Sequence, residues 1–195
     1  MFLYYNQQQA VKQLQWFGYD KSQFEIIFID DGSEIPLKCD WATVYRIDKD
    51  VAWNQPKANN LGLSKLESND VVLRMDIDHY FNVNDLSRIN QIQVGHKEII
   101  TFNRLFRGSP ISQHPNIYLT RAKDLIDAGG YDEQFCGNYG YDDSELMHRL
   151  KQKGFKFYRS EIYCVADSTL STIGLNRDIK INRLKYLKAI EKSNL

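Results

Sequence analysis

Phe24-Glu25-Ile26-Ile27-Phe28-Ile29-Asp30-Asp31-Gly32-Ser33 is the stretch that decides the fold class of this chain. Its first six residues are almost all apolar, a pattern typical of a strand that is covered on both faces, as in a parallel sheet. The run then ends abruptly in two carboxylates and a turn sequence. Because ligands of open α/β sheets bind beyond the carboxyl ends of the strands, this position is a candidate binding site.

Further strands alternate with helices along the chain. Apolar runs predict strands at 2–5, 43–47, 71–75, 98–102 and 155–163, and residues 118–120 are expected to lead into a short helix. Residues 104–116 contain few apolar side chains and are predicted to be a loop. The alternation predicts an α/β fold with a mostly parallel central sheet flanked by helices. We expect one domain over 1–175 and a basic amphipathic helix over 176–195.

The composition is that of an ordinary globular protein. Of the 195 residues, 25 are Lys or Arg and 25 are Asp or Glu, so the formal net charge is zero. That balance argues against nucleic acid as a partner. The three cysteines form no C-x-x-C pair, which fits a reducing compartment, and no apolar run approaches the ~18 residues of a membrane span. We expect a cytoplasmic protein, soluble or peripherally membrane-associated, whose membrane contact would be restricted to the C-terminal helix.

Carboxylate pairs follow two of the predicted strands. Asp30 and Asp31 end the first stretch, and Asp76-Ile77-Asp78 follows the strand at 71–75. Alternation in an extended segment places Asp76 and Asp78 on one side, where their oxygens suit Mg²⁺ or Mn²⁺ with phosphate oxygens completing the shell. Each pair also has a simpler interpretation, a tight turn for the first and a turn or helix cap for the second.

A third pair, Asp142-Asp143, opens a predicted helix. With Glu145 in the same first turn, the pair fits an N-cap favoured by the helix dipole. A carboxylate at a helix start also faces out of the fold, where it can act as a general base. Both interpretations are compatible with the sequence.

Together these segments resemble the inverting, metal-dependent glycosyltransferases of the GT-A fold, family 2 and its galactosyltransferase-like relatives. The resemblance covers residues 2–167. Its parts, in chain order, are Tyr5-Asn6, the D-D-G-S stretch at 30–33, Ala58-Asn59-Asn60-Leu61-Gly62 as the A-R-N-x-G segment, the D-x-D motif at 76–78, and the block Gly129-Gly130-Tyr131-Asp132-Glu133-Gln134-Phe135 followed by Gly140-Tyr141-Asp142-Asp143, Arg149-Leu150 and Gly154. Asn59 stands where the family usually has Arg.

The resemblance implies a role for the residues on the donor side. The nucleotide-sugar contacts would be Tyr5, Asn6, Asp31, Asn60 and Asp76, with Asp31 on the uracil and Asp76 on the ribose. Asp78 would ligate Mn²⁺ or Mg²⁺. Relatives usually have a His after the last block as a second metal ligand; the comparable stretch here offers Asp167, and His79 is the alternative.

The resemblance also implies the reaction. Asp143 would be the general base and Asp142 would contact the acceptor, while a sugar moves with inversion from a nucleotide-sugar, with a UDP-sugar as the expected donor, to a hydroxyl of a glycan or another acceptor. Trp53, Tyr139 and Tyr141 are candidate sugar or acceptor contacts, because aromatic faces stack on sugars. For Trp53, packing in a partly buried position is the alternative.

Two other function classes remain open from the sequence. One is a non-catalytic nucleotide- or sugar-binding module of the same fold, which would keep Asp31 and the aromatic residues but lack the base or the metal. The other is a different Rossmann-like nucleotide-binding enzyme with Asp30 or Asp31 on a ribose. No G-x-G-x-x-G follows the first predicted strand, which counts against the second class.

Overall fold

The computed structural model describes residues 11–12, 14–15, 18, 24–49, 51–166 and 176–193, with side chains of the last segment described as far as 191. The predicted strand at 2–5 and the predicted site residues Tyr5, Asn6 and Asp167 lie outside the described residues. The strands are β1 (Ile27–Asp31), β2 (Thr43–Ile47), β3 (Val71–Arg74), β4 (His79–Tyr80), β5 (Glu98–Phe106), β6 (Ser109–Ile111), β7 (Tyr118–Arg121) and β8 (Lys156–Ala166). The helices are α1 (Gln55–Leu63), α2 (Val83–Ile89), α3 (Ala122–Asp127), α4 (Asp142–Gln152) and α5 (Lys180–Ser193), with a short 3-10 turn at Glu133–Phe135.

The described strands form two sheets. β1 and β2 pair in parallel, from Ile27 opposite Thr43 to Asp31 opposite Ile47. The larger sheet has the order β3-β7-β5-β8-β4, and β6 is paired with β5. Within it β5 and β8 are parallel, whereas β7 is antiparallel to both β3 and β5, and β4 is antiparallel to β8.

The prediction of a mostly parallel central sheet is wrong, because this sheet is mixed. An apolar run reports that both faces of a strand are covered, and it carries no information about the direction of the neighbouring strand. β5 turns back at Arg107 and Gly108, both of which have positive φ, and continues into β6. Part of the predicted loop at 104–116 is therefore a hairpin. The α/β class and the strand at 43–47 are confirmed.

The core has two parts. The larger one surrounds Phe28, Phe81 and Phe102, with the last two rings 4.9 Å apart between centroids, and it includes the helical residues Val11 and Leu14. The second lies between β5, β7, α3 and α4.

α4 is anchored in this second part of the core. Leu146 and Leu150 are fully buried there. Each such burial stabilises the fold by about 1.5–3 kcal/mol relative to an exposed side chain. Core packing therefore holds α4 in place, and with it the acidic pair in its first turn.

α5 lies against the loop before α4 and turns an apolar and basic face outward. Ile181, Leu184 and Leu187 are exposed on that face. In the part of the chain that the structure describes, no helix combines the length and the apolar character needed to cross a membrane. The division of the chain between 175 and 176 stays a prediction.

Candidate active site

The two carboxylates at the end of β1 have different environments. Asp30 is fully buried and accepts hydrogen bonds from the backbone N–H of Ser33 (3.1 Å) and Leu37 (3.0 Å) and from Nη1 of Arg46 (2.5 Å). Burial acts most strongly on the pKa of Asp30 and raises it, but a hydrogen bond from the Ser33 hydroxyl, together with the three bonds above, holds the pKa below its ordinary value. Asp30 therefore fixes the turn that follows β1, as the simpler interpretation of the motif predicts.

Asp31 points to the start of α1. Its Oδ1 accepts a hydrogen bond from Nδ2 of Asn54 at 2.7 Å, and both side chains are buried. Gly32 follows with φ of +75°, a backbone conformation that an L side chain rarely adopts, so the turn requires glycine here. Asn54 was not among the predicted site residues, since no sequence motif marks it.

Asp76, Asp78 and His79 come together after β3. One possible ligand atom from each lies within 4.8 Å of the others. Nδ1 of His79 lies 2.6 Å from Oδ1 of Asp78, and Arg104 donates from Nη1 to Nε2 of His79 at 3.2 Å. Because a guanidinium only donates, Nε2 accepts, and Nδ1–H is the donor to Asp78.

This donor set fits a metal ion. Carboxylate oxygens together with an imidazole nitrogen suit Mn²⁺, whereas Mg²⁺ prefers oxygen ligands throughout, so the set does not favour the Mg²⁺ alternative. Ligation by His79 would require its Nε2 to exchange the Arg104 guanidinium for the metal. Ala166, the last described residue of β8, pairs with His79. The predicted ligand Asp167 follows in the sequence and lies outside the described residues.

Arg74 lies beside the acidic pair and is buried. Its Nη1 donates to Oδ1 of Asp76 (2.5 Å) and to the carbonyl oxygen of Asn116 (2.6 Å). Burial is the largest influence on the pKa of Asp76 and raises it, but Arg74 and the neighbouring His114 outweigh burial and hold the pKa below its ordinary value. Asp76 is therefore ionised at neutral pH. Asn59, at the family's usual Arg position, accepts from Nε of Arg74 at 3.1 Å.

α4 begins with the acidic pair. Asp143 is partly exposed; its Oδ1 accepts from the backbone N–H of Ser144 (2.6 Å) and its Oδ2 from Nδ2 of Asn116 (3.4 Å). Asp142 is buried, and within the described chain its Oδ2 has no hydrogen-bond partner. Burial and then the charge of Asp143 raise the pKa of Asp142 to about 7. The two neighbouring carboxyls thus differ in exposure, and Asp142 is partly protonated at neutral pH.

Hydrogen bonds connect the metal-ligand candidates to the start of α4. They run from Asp76 to Arg74, from Arg74 to the backbone of Asn116, and from the side chain of Asn116 to Asp143. The hydroxyl of Tyr131 donates to Oδ1 of Asn116 at 3.2 Å and completes the bonding of this buried amide. Asn116 was not among the predicted site residues, because it lies in the predicted loop and belongs to no motif.

Asn60 connects α1 to the loop before the 3-10 turn. Its Oδ1 accepts from the backbone N–H of Tyr131 (2.8 Å), and its Nδ2 donates to the carbonyl of Tyr131 and to Glu133 (both 2.9 Å). Arg149 of α4 binds the same loop, donating to the carbonyl oxygen of Gly130 at 2.6 Å. These bonds join α1, the segment around Gly130 and Tyr131, and α4 in the folded chain. The nucleotide contact predicted for Asn60 stays a prediction.

The predicted sugar-contacting aromatic residues lie next to the C-terminal segment. The rings of Trp53 and Tyr139 are 4.4 Å apart between centroids, and Nε1 of Trp53 donates to the carbonyl oxygen of Asn176 at 2.6 Å. The ring of Tyr141 is 5.2 Å from that of Tyr186. Trp53 and Tyr141 have φ of 50° and 66°, and such left-handed conformations of bulky residues often occur at functional sites.

Among solved structures, the chain is similar to the crystal structure of GalNAc-T7 with UDP, GalNAc and Mn²⁺, with a TM-score of 0.58. This similarity supports a GT-A-like fold. The match covers 86% of this chain and 41% of that chain at 13% sequence identity, so it bears on the fold and the chain spans less than half of that protein. No protein-family model and no curated protein matches the sequence.

Proposed function

We propose that the chain is an inverting glycosyltransferase that moves a sugar from a UDP-sugar to a hydroxyl of a glycan or another acceptor. The observation that carries this proposal is the hydrogen-bonded connection from the Asp76, Asp78 and His79 group to Asp143. The connection links a candidate metal centre to a candidate base through partly buried hydrogen bonds. The similarity to a fold whose solved structure holds UDP and Mn²⁺ supports the choice of donor and metal.

On the donor side, Asp31 would accept an N–H of the uracil, with Asn54 holding its carboxylate in place. Asp76 would contact the ribose, and Tyr5, Asn6 and Asn60 are the further predicted donor contacts. Residues that would hold Mn²⁺ are Asp78 and His79, with Asp76 close by and Asp167 as the predicted additional ligand. The metal, when bound, supplies positive charge that stabilises the diphosphate leaving group.

On the acceptor side, Asp143 would take the proton of the acceptor hydroxyl. The acceptor oxygen then forms a bond to the anomeric carbon from the face opposite the diphosphate, the bond to the diphosphate oxygen breaks, and the configuration inverts. General-base assistance of this kind is worth about 10²–10⁴-fold in rate. Asn116 and Ser144 orient the carboxylate for that step.

Asp142 would contact the acceptor. Its unpartnered Oδ2 and its pKa of about 7 allow the carboxyl either to donate to a sugar hydroxyl or to accept from one. The neighbouring rings of Trp53 and Tyr139, which are tilted by 48° to each other, and the ring of Tyr141 would supply the apolar contacts to the sugar.

The test is UDP release from a panel of UDP-sugars with Mn²⁺, with and without candidate glycan acceptors. Wild type is expected to release UDP with at least one donor, faster with an acceptor. The Asp143→Asn variant keeps donor binding and loses transfer, whereas the matched Asp127→Asn variant, at an exposed position of α3, behaves as wild type. UDP binding without release with any acceptor would instead indicate a non-catalytic module.

A further inference from the structure

Asn182 bonds α5 to the loop that leads into α4. Its side chain is fully buried, and its Nδ2 donates towards the backbone carbonyls of Phe135 (3.0 Å), Asn138 (2.7 Å) and Gly140 (2.9 Å). An amide nitrogen carries two hydrogens, so one of them is shared between two oxygens. Loss of this side chain would leave buried carbonyl oxygens without a donor, which is costlier than loss of an exposed hydrogen bond.

The loop held by Asn182 determines how the chain enters α4. Gly140 and Tyr141 have φ of 82° and 66°, and Asp142 and Asp143 follow directly. Glycine adopts a positive φ readily, but the left-handed conformation of Tyr141 is unfavourable for a free chain, and contacts from outside the loop help to hold it. The carbonyl of Gly140, one of the three bonded by Asn182, is part of it.

The same loop carries the aromatic side chains. Tyr139 lies in sequence between two of the residues whose carbonyls Asn182 binds, and its ring contacts both Trp53 and the guanidinium of Arg177, which lies 5.8 Å from the ring centre. Tyr141 packs on Tyr186 of α5. Residues of the C-terminal segment therefore contact all three predicted sugar-binding rings.

We propose that Asn182 is a positioning residue for the acceptor half of the active site. By holding residues 135–140 against α5, it fixes both the aromatic contacts to the acceptor and the direction in which Asp143 faces. The donor half is held differently, because Asp31 is bonded to Asn54 and Asp76 to Arg74. This inference rests on the proposed glycosyltransferase function and assigns α5 to its acceptor site.

The experiment is steady-state kinetics of full-length Asn182→Leu, which keeps the size of the side chain and removes its donors. The acceptor KM is expected to rise about tenfold or more, equivalent to about 1.4 kcal/mol of acceptor binding. The dissociation constant for UDP in the presence of Mn²⁺ is expected to change less than about twofold, because a mutation has little effect on a site with which it shares no contacts. The matched control is Leu184→Asn, on the outer face of the same helix, which keeps wild-type values for both.

A second variant keeps the test informative if Asn182→Leu fails to fold. Lys185→Ala removes the side-chain donation to the carbonyl oxygen of Gln134, a solvent-exposed bond between α5 and the 3-10 turn at the start of the same loop. It is expected to raise the acceptor KM in the same direction by a smaller factor, with UDP affinity retained.

The outcomes separate the two proposals. An acceptor KM that is unchanged in both variants overturns the positioning role, and so does a parallel loss of acceptor and UDP binding in the folded variants, since a purely structural residue would act on both halves. A wild-type chain that releases no UDP from any donor overturns the proposed function, and the inference with it. A raised acceptor KM with unchanged UDP affinity supports the positioning role of Asn182.

Discussion

Replacement of Asp142 by Asn changes the pH dependence of stability in a way that the structure makes quantitative. Burial and the charge of Asp143 raise the pKa of Asp142 from 3.8 to about 7. A group whose pKa is raised by folding contributes stability that is fully present below the unfolded pKa and is lost as the pH rises through the folded pKa. Wild type should therefore lose stability between about pH 4 and pH 7.

The size of the effect follows from the shift. Three pKa units at 1.36 kcal/mol each amount to about 4 kcal/mol, which is the upper bound on the loss once Asp142 is fully ionised. Asn has the same shape and no charge, so the Asp142→Asn variant lacks this loss. Its free energy of unfolding relative to wild type should increase between about pH 4 and pH 7 and then level off, by up to about 4 kcal/mol in all.

The assay is urea unfolding of both proteins, followed by tryptophan fluorescence at a series of pH values. Titrating groups that do not interact with Asp142 contribute equally in both chains, so their contributions cancel in the difference. Asp127→Asn, at an exposed carboxylate paired with Lys123, serves as the control and should give a difference that does not vary with pH. A constant difference for Asp142→Asn as well would refute the account of Asp142 as a buried carboxyl with a high pKa.

Two further predictions concern the turns that support the site. Gly130→Ala should lower the free energy of unfolding for two reasons. The φ of 61° is unfavourable for alanine, and the new Cβ would lie only 2.5 Å from Oδ1 of Asn60. The expected loss is about 1–3 kcal/mol; Gly137→Ala, with a similar φ of 88° and nothing within 4 Å of its Cβ, should lose less in the same urea titration. Asp30→Asn should destabilise the chain most above the unfolded pKa of Asp30, because a carboxyl whose pKa is lowered stabilises there and loses that effect as the pH falls through the folded pKa. Unfolding midpoints of Asp30→Asn that match wild type at neutral pH would show that the Arg46 bond contributes nothing.

The sequence predicts the elements of this fold better than their arrangement. The strand at 43–47 and the helix that begins at Asp142 are where local patterns place them. The direction of β7 is not encoded in its own residues, because it depends on the hairpin after β5 and on which strands become neighbours. An apolar run alone could not distinguish the mixed sheet from a parallel one.

For the site, too, the sequence predicts local features better than their arrangement in space. Local sequence places carboxylates after β1 and β3, but the different roles of Asp30 and Asp31 depend on Arg46 and Asn54, which are distant along the chain. Asn116 is bonded to groups from β3 and α4 that meet only in the folded chain. Since a single Asn in a loop carries no pattern, no reading of the sequence could have identified it.

The central claim, inverting transfer at a metal-dependent site, is tested most directly by the configuration of the product. A UDP-α-sugar, Mn²⁺ and an acceptor that stimulates UDP release are incubated with the enzyme, and the new anomeric centre is followed by NMR. The account predicts a β-linked product that forms only with the metal and is not formed by Asp143→Asn. An α-linked product, or equal transfer by Asp143→Asn, would contradict it.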